Sequence, residues 1–189
     1  MGSEEVLEIA DMGDGRGAAM KEIVDQPDQL SVGLGDQRMD DYFRRLKAND
    51  VKIVDGNSVV RDMVARGEVA VGLTDTDDVN VALEAKQPVA MILPDRDGFG
   101  APVMPNMVSL IANAPHPDEG KQLIDYLLSA DVERALAASE AVQIPLHAGV
   151  PGPKNLPAIT TFKPMTLDWA KAASRVEDVT GRLQPILGL

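Results

Sequence analysis

The chain has 189 residues, 44% hydrophobic and 25% charged, with 18 Lys and Arg against 30 Asp and Glu and a formal charge of −12. This is too apolar for disorder and suits one domain or two small lobes, while a pI near 4.5 excludes a nucleic-acid backbone as partner. No apolar run approaches the roughly 20 residues that span a bilayer, and the lack of cysteine removes disulfides, thiolate nucleophiles and cysteine-held metals.

The start, Met1-Gly2-Ser3-Glu4-Glu5, lacks the basic and apolar regions of a signal peptide, so the chain as it stands is not expected to be exported. Val6–Ala10 is a short apolar run ending in a glycine-rich loop, Gly13–Gly17, followed by a helical pattern near Ala18–Val24. Residues 25–35 are polar and punctuated by Pro and Gly, which predicts a loop. A helix is predicted over Arg38–Ala48, with Met39, Tyr42, Phe43 and Leu46 on one face. Val51–Val54 predicts a strand. Asp55-Gly56-Asn57-Ser58 then opens a helix carrying Val59, Val60, Met63 and Val64, which Gly67 ends. Val69–Leu73 predicts a buried strand, Val79–Lys86 a helix, and Pro88–Leu93 another strand. Strands alternating with helices imply a parallel sheet with helices on its faces.

The second half changes character. Pro102–Ile111 is extended and partly apolar. Pro115-His116-Pro117-Asp118 caps a helix to about Leu128, and Ser129 caps the next, Ala130–Ser139. Residues 144–164 are proline-rich, and a last helix is predicted over Leu167–Leu183. Trp169 and the methionines are expected as packing residues. His116 and His147 lie in loops, with no carboxylate spacing that suggests a metal site.

Asp50–Asn80, Pro94–Gly98 and Pro105–Ser129 resemble extracellular solute-binding proteins of ABC transporters, in the branch labelled iron(III)-binding. The match is specific over Tyr42–Gln143. The resemblance implies an α/β fold: a periplasmic-binding-protein-like lobe with a mostly parallel sheet flanked by helices, plus a helical C-terminal segment. It also implies a binding protein rather than an enzyme, periplasmic or extracellular, that clamps its solute between two lobes and delivers it to an ABC permease. Most of the first lobe lies, in the family, before the region matched by Val6. The expected organisation is therefore a second lobe over residues 1–100, followed by a crossing segment and C-terminal helices over 101–189 that complete the first. Ferric-binding members carry two adjacent tyrosines after the strand matched by Val69–Leu73. Thr76 and Asp77 stand at those positions, so phenolate ligation of iron is not expected.

Three segments carry candidate chemistry. Asn57 and Ser58 sit where a strand hands over to a helix amino-terminus, whose free N–H groups and dipole favour an anion; otherwise Asn57 is simply the helix N-cap. Gly15, Arg16 and Gly17 follow the same strand–loop–helix logic, with Arg16 adding a bidentate donor. Their spacing is not that of a dinucleotide fingerprint. Thr74, Asp75, Thr76, Asp77 and Asp78 place three carboxylates and two hydroxyls at the carboxyl end of a strand, hard oxygen donors for a cation or a cationic solute. Asp75, Asp77 and Asp78 are the metal candidates, although Asn80 stands where a calcium-loop glycine belongs. No cofactor is fixed by these residues; a metal ion (iron or calcium) or a bound anion is the ligand chemistry they admit.

Two other readings remain open: a doubly wound α/β enzyme binding a phosphorylated ligand at Gly13–Gly17, and a truncated lobe that binds no solute and serves as an interaction module. Leu123, Ile124, Leu127, Leu128, Val132 and Leu136 need cover, either from the 1–100 sheet or from a second copy, so a homo-oligomer through the C-terminal helices is expected.

Overall fold

Ala18-Ala19-Met20, helix formers by propensity, form β1, the middle strand of a three-stranded parallel sheet in the computed structural model, which describes residues 18–20, 27–95, 98 and 100–189. Over Ala18–Met20 the predicted helix is overridden by burial: all three residues are enclosed, and a central parallel strand must be apolar on both faces; residues 21–24 of that prediction lie outside the described residues. β2 (Lys52–Ile53) and β3 (Val71–Leu73) flank it in the order β2-β1-β3, with Met20 opposite both Ile53 and Leu73.

The alternation of β1 builds two cores. Ala18 and Met20 face α1 (Pro27–Leu34), α2 (Asp36–Ala48) and the C-terminal helix α8 (Val176–Leu187), in a cluster with Leu30, Met39, Tyr42, Phe43, Leu46, Val179, Leu183 and Leu187. Ala19 faces the other side, with Val60 and Met63 of α3 (Asn57–Ala65) and Val69. The periodicity of α2 is borne out residue by residue: Met39, Tyr42, Phe43 and Leu46 are its buried set. Helix α3 packs so closely on β3 that a Cβ on Gly72 would lie 2.5 Å from Val60 Cγ1, which is why a glycine sits in mid-strand. α4 (Thr76–Glu84) follows β3.

Three expectations are corrected in this part of the chain. Residues 27–34, expected as loop, are helix α1, because Pro27 occupies the first helical position, where its missing N–H costs nothing. Pro88–Leu93, expected as a strand, pairs with no strand among the described residues, and Ile92 is 82% exposed. The single helix expected over Leu167–Leu183 is two, α7 (Trp169–Ala173) and α8. Asp168 caps α7 by accepting from Lys171 N, and Ser174 Oγ donates to Lys171 O at its end. Trp169, expected as a packing residue, opens α7 and is 43% exposed.

The described residues divide into two compact units, one running to Pro102 and resuming at Lys163–Leu189, the other Val103–Phe162. Lys163–Leu189 thus belongs with the sheet unit. In the sheet unit, Arg175 and Arg182 of the C-terminal stretch reach Asp36 at 2.7 and 3.0 Å, and Arg182 also reaches Asp40 at 2.6 Å. A hydrogen bond from Ser31 and these two guanidiniums hold the Asp36 carboxyl below its ordinary value despite an opposing effect of burial. Residues 100–101 and 163–165 are tied backbone to backbone: Ala101 N donates to Lys163 O, and Met165 N to Ala101 O.

The second unit holds α5 (Pro117–Leu127) and α6 (Ala130–Ala137), capped as predicted by Pro117 at the helix start and by Ser129 Oγ. Its buried hydrophobic side chains are Ala137 and Leu156; Leu123, Tyr126, Leu127, Leu128 and Leu136 are all exposed. His147 is on the surface, as expected, but is paired with Glu133 at 2.9 Å. No helix among the described residues is long and apolar enough to cross a membrane.

Candidate functional site

Because β2 and β3 run parallel, the segments after them emerge at the same edge of the sheet. The parallel register therefore brings together two candidate segments whose contact residues, Asn57 and Asp75, are 18 positions apart in sequence. Asn57 is the first residue of α3, with Gly56 as the N-cap, so its side chain is not spent on its own helix. It turns instead to the next helix start, where Asn57 Nδ2 donates to Asp75 Oδ2 at 2.6 Å. Thr74 Oγ1 donates to Asn57 O at 3.2 Å. Asp75 is the N-cap of α4, its other oxygen accepting from Asp78 N at 3.3 Å. The Asn57 N-cap expected as the simpler reading is thus replaced by a side-chain bridge between two helix amino-termini. Asn57 Oδ1 is buried and has no hydrogen-bond partner.

Arg61, one turn further along α3, was not among the sequence candidates. Its Nη1 lies 2.8 Å from Asp78 Oδ1 and its Nη2 2.8 Å from Asp62 Oδ1. The signal was present: a base four residues after Asn57 stands on the same helix face, beside the acidic first turn of the neighbouring helix. Burial and the nearby Asp75 carboxylate push Asp78 up to about 6, with Arg61 acting in the opposite direction. Asp77 is raised for the same first two reasons. The edge is therefore an acidic cluster partly neutralised by one guanidinium.

The remaining candidates fall differently. Ser58 is exposed and Thr76 opens α4. Asp75, Asp77 and Asp78 are neighbours, yet Asp75 is engaged by Asn57 and Asp78 by Arg61. No group of three or more His, Cys, Asp or Glu among the described residues is arranged to hold a metal ion. Gly15, Arg16 and Gly17 lie outside the described residues. Immediately after Gly17 the chain enters strand β1 rather than a helix, so the helix amino-terminus that their anion-binding reading and the phosphorylated-ligand alternative both required is not at Ala18.

The profile of the family described as bacterial extracellular solute-binding protein matches residues 12–134, and no curated protein matches the chain. Among solved structures it is similar to the ferric binding protein from Campylobacter jejuni, at 14% identity and a TM-score of 0.76, over 96% of this chain and 62% of that one. The apo ferric ion-binding protein A of Pasteurella haemolytica matches at 18% identity and a TM-score of 0.81, over 96% and 61%. A Trichodesmium protein in complex with iron and citrate ligands matches at 17% identity and a TM-score of 0.76, over 98% and 64%. At these identities the likeness establishes the fold: an α/β lobe of the periplasmic-binding-protein kind. The chain spans 61–64% of the length of these three structures.

Proposed function

The chain belongs to the family of bacterial extracellular solute-binding proteins, whose members are binding proteins and not enzymes, and from that premise we propose that it serves an ABC-type importer as its solute-binding component. Its place of work on this reading is periplasmic or extracellular, and its partners are a small solute and the permease that receives it. The ligand is a small anion or a metal–anion complex, held at the carboxyl edge of the sheet by the start of α3 and the Thr74–Asp78 loop. This edge is the second lobe's share of an interlobe cleft. The observation that carries the reading is Asn57. Its amide spans two helix amino-termini, and its buried Oδ1 has no partner within the protein; an unsatisfied buried acceptor is costly unless a ligand's N–H or O–H, or the metal of a metal–anion complex, meets it. The iron and citrate in the Trichodesmium structure support the choice of ligand class.

Thermal shift and calorimetric titration with Fe³⁺, Ca²⁺, phosphate, sulfate and citrate test this directly. At least one should raise the melting temperature of the wild type, and Asn57→Ala should weaken it by tenfold or more. Equal binding in Asn57→Ala, or no response to any of them, overturns the reading. Added Fe³⁺ should give no phenolate charge-transfer band. Tyr42 is buried and its hydroxyl is pushed up to about 12 by that burial, and Tyr126 stands alone on α5.

The bare apolar side chains of α5 and α6 support a second element of the proposal, a homo-oligomer through those helices. Each such side chain is worth roughly 1.5–3 kcal/mol when fully buried. Sedimentation at micromolar concentration should give a mass above the 20.2 kDa of one chain. A 20.2 kDa monomer refutes it.

A further inference from the structure

In the first turn of α6, Glu133 turns one carboxylate onto three donors of a single short segment. Its Oε1 accepts from Leu146 N at 3.1 Å, its Oε2 accepts from His147 N at 2.9 Å, and the same Oε2 lies 2.9 Å from His147 Nδ1. The Glu133 side chain is only 20% exposed. Burial pushes its carboxyl up, but the two backbone N–H groups and the imidazole outweigh that and hold it below its ordinary value. Local turns supply the backbone bonds of this stretch, Val142 N to Ser139 O and Val150 N to His147 O. Side-chain hydrogen bonds anchor residues 143–149 at two points, at Leu146–His147 on Glu133 and at Gln143, whose Oε1 accepts from Asn106 Nδ2 at 2.5 Å, with Pro145 buried between them.

The residue just before this segment is strained. Val142 has a φ of 41°, the left-handed region that a β-branched side chain avoids. A strained pivot persists only where its surroundings hold it.

We propose that Glu133 and Val142 form a sprung latch, in which the carboxylate clamps residues 143–149 against α6 while the strained valine favours their release. This stretch begins the return path to Lys163, where the chain re-enters the sheet unit, so the latch sets how much of that path is free. The proposal is independent of the ligand-binding reading.

Hydrogen exchange on the full chain tests it. In Glu133→Ala the amides of Leu146 and His147 should exchange at least tenfold faster, with α5 and α8 unchanged. Glu133→Gln, which keeps one acceptor oxygen, should lose protection at one of the two amides. Val142→Asn, which relieves the backbone because asparagine accepts left-handed φ, should slow both amides severalfold. Unchanged exchange in Glu133→Ala, acceleration spread equally through α5, or faster exchange in Val142→Asn each overturns the latch.

Discussion

Gly100→Ala is expected to lower the melting temperature of the sheet unit by on the order of 10 °C. Gly100 has a φ of 115°, and a Cβ there would lie 2.7 Å from Met165 N and 2.8 Å from the carbonyl carbon and oxygen of Pro164. These are backbone atoms, fixed by the hydrogen bonds that join Ala101 to Lys163 and Met165, so nothing flexible can give way. An L-residue held at such a φ costs about 1–3 kcal/mol, and overpacking adds about 1–3 kcal/mol. For a chain of this size each kcal/mol moves the midpoint by about 2–4 °C. Gly67→Ala separates the two contributions. It has a φ of 71° with nothing within 4 Å of the added Cβ, and should suffer only the backbone part. Equal losses in the two variants would show that the close approach at Pro164 contributes nothing.

The parts of this fold that were legible in the sequence are those where local pattern and tertiary environment agree. The face of α2 could be read because Met39, Tyr42, Phe43 and Leu46 follow the helical period and all four meet the core. α3 could be read because its start follows a strand and Gly67 ends it at positive φ. β1 could not. Ala18-Ala19-Met20 has the composition of a helix, and only the two strands beside it make it a strand. α1 was hidden by Pro27, Gly33 and Gly35, although the proline is the helix start and Gly35, at a φ of 82°, serves the turn into α2. Trp169 reads as a packing residue by size alone, and nothing in its neighbourhood of sequence reports its 43% exposure.

The candidate site divides in the same way. Asn57 and Thr74–Asp78 were each legible as polar residues where strand meets helix. That they meet each other was not, because the 18-position offset from Asn57 to Asp75 sets no distance until β2 and β3 are placed on either side of β1. Nor was the role of Asp75, which both caps α4 and accepts from Asn57. Arg61 was missed because a base on an exposed-looking helix face is read as solvated. Its partner Asp78 belongs to a neighbouring helix and is visible only once α3 and α4 lie side by side.

That guanidinium carries the second large effect. Arg61 and Asp78 are each only 18% exposed, and removing one partner of a fully buried pair costs about 3–5 kcal/mol. At this exposure the lower end applies to Arg61→Ala, and the loss depends on pH in a definite direction. In the folded chain Asp78 ionises at about 6 rather than 3.8, chiefly through burial and the charge of Asp75. A carboxyl raised in this way contributes stability that is fully present below about pH 4 and lost as pH rises through 6. Arg61 opposes the shift, so its removal moves the ionisation higher and carries the loss of stability towards neutral pH. Thermal unfolding of Arg61→Ala should therefore lie close to the wild type at pH 4 and well below it at pH 7.5. Adding Asp78→Asn should recover much of the deficit at pH 7.5, since the unpaired carboxylate is then gone and the amide N–H can donate to the Asp75 carboxylate beside it. A deficit of the same size at both pH values, untouched by Asp78→Asn, would mean that Arg61 stabilises only through packing and its pair with Asp62, and that the acidic edge needs no neutralising partner.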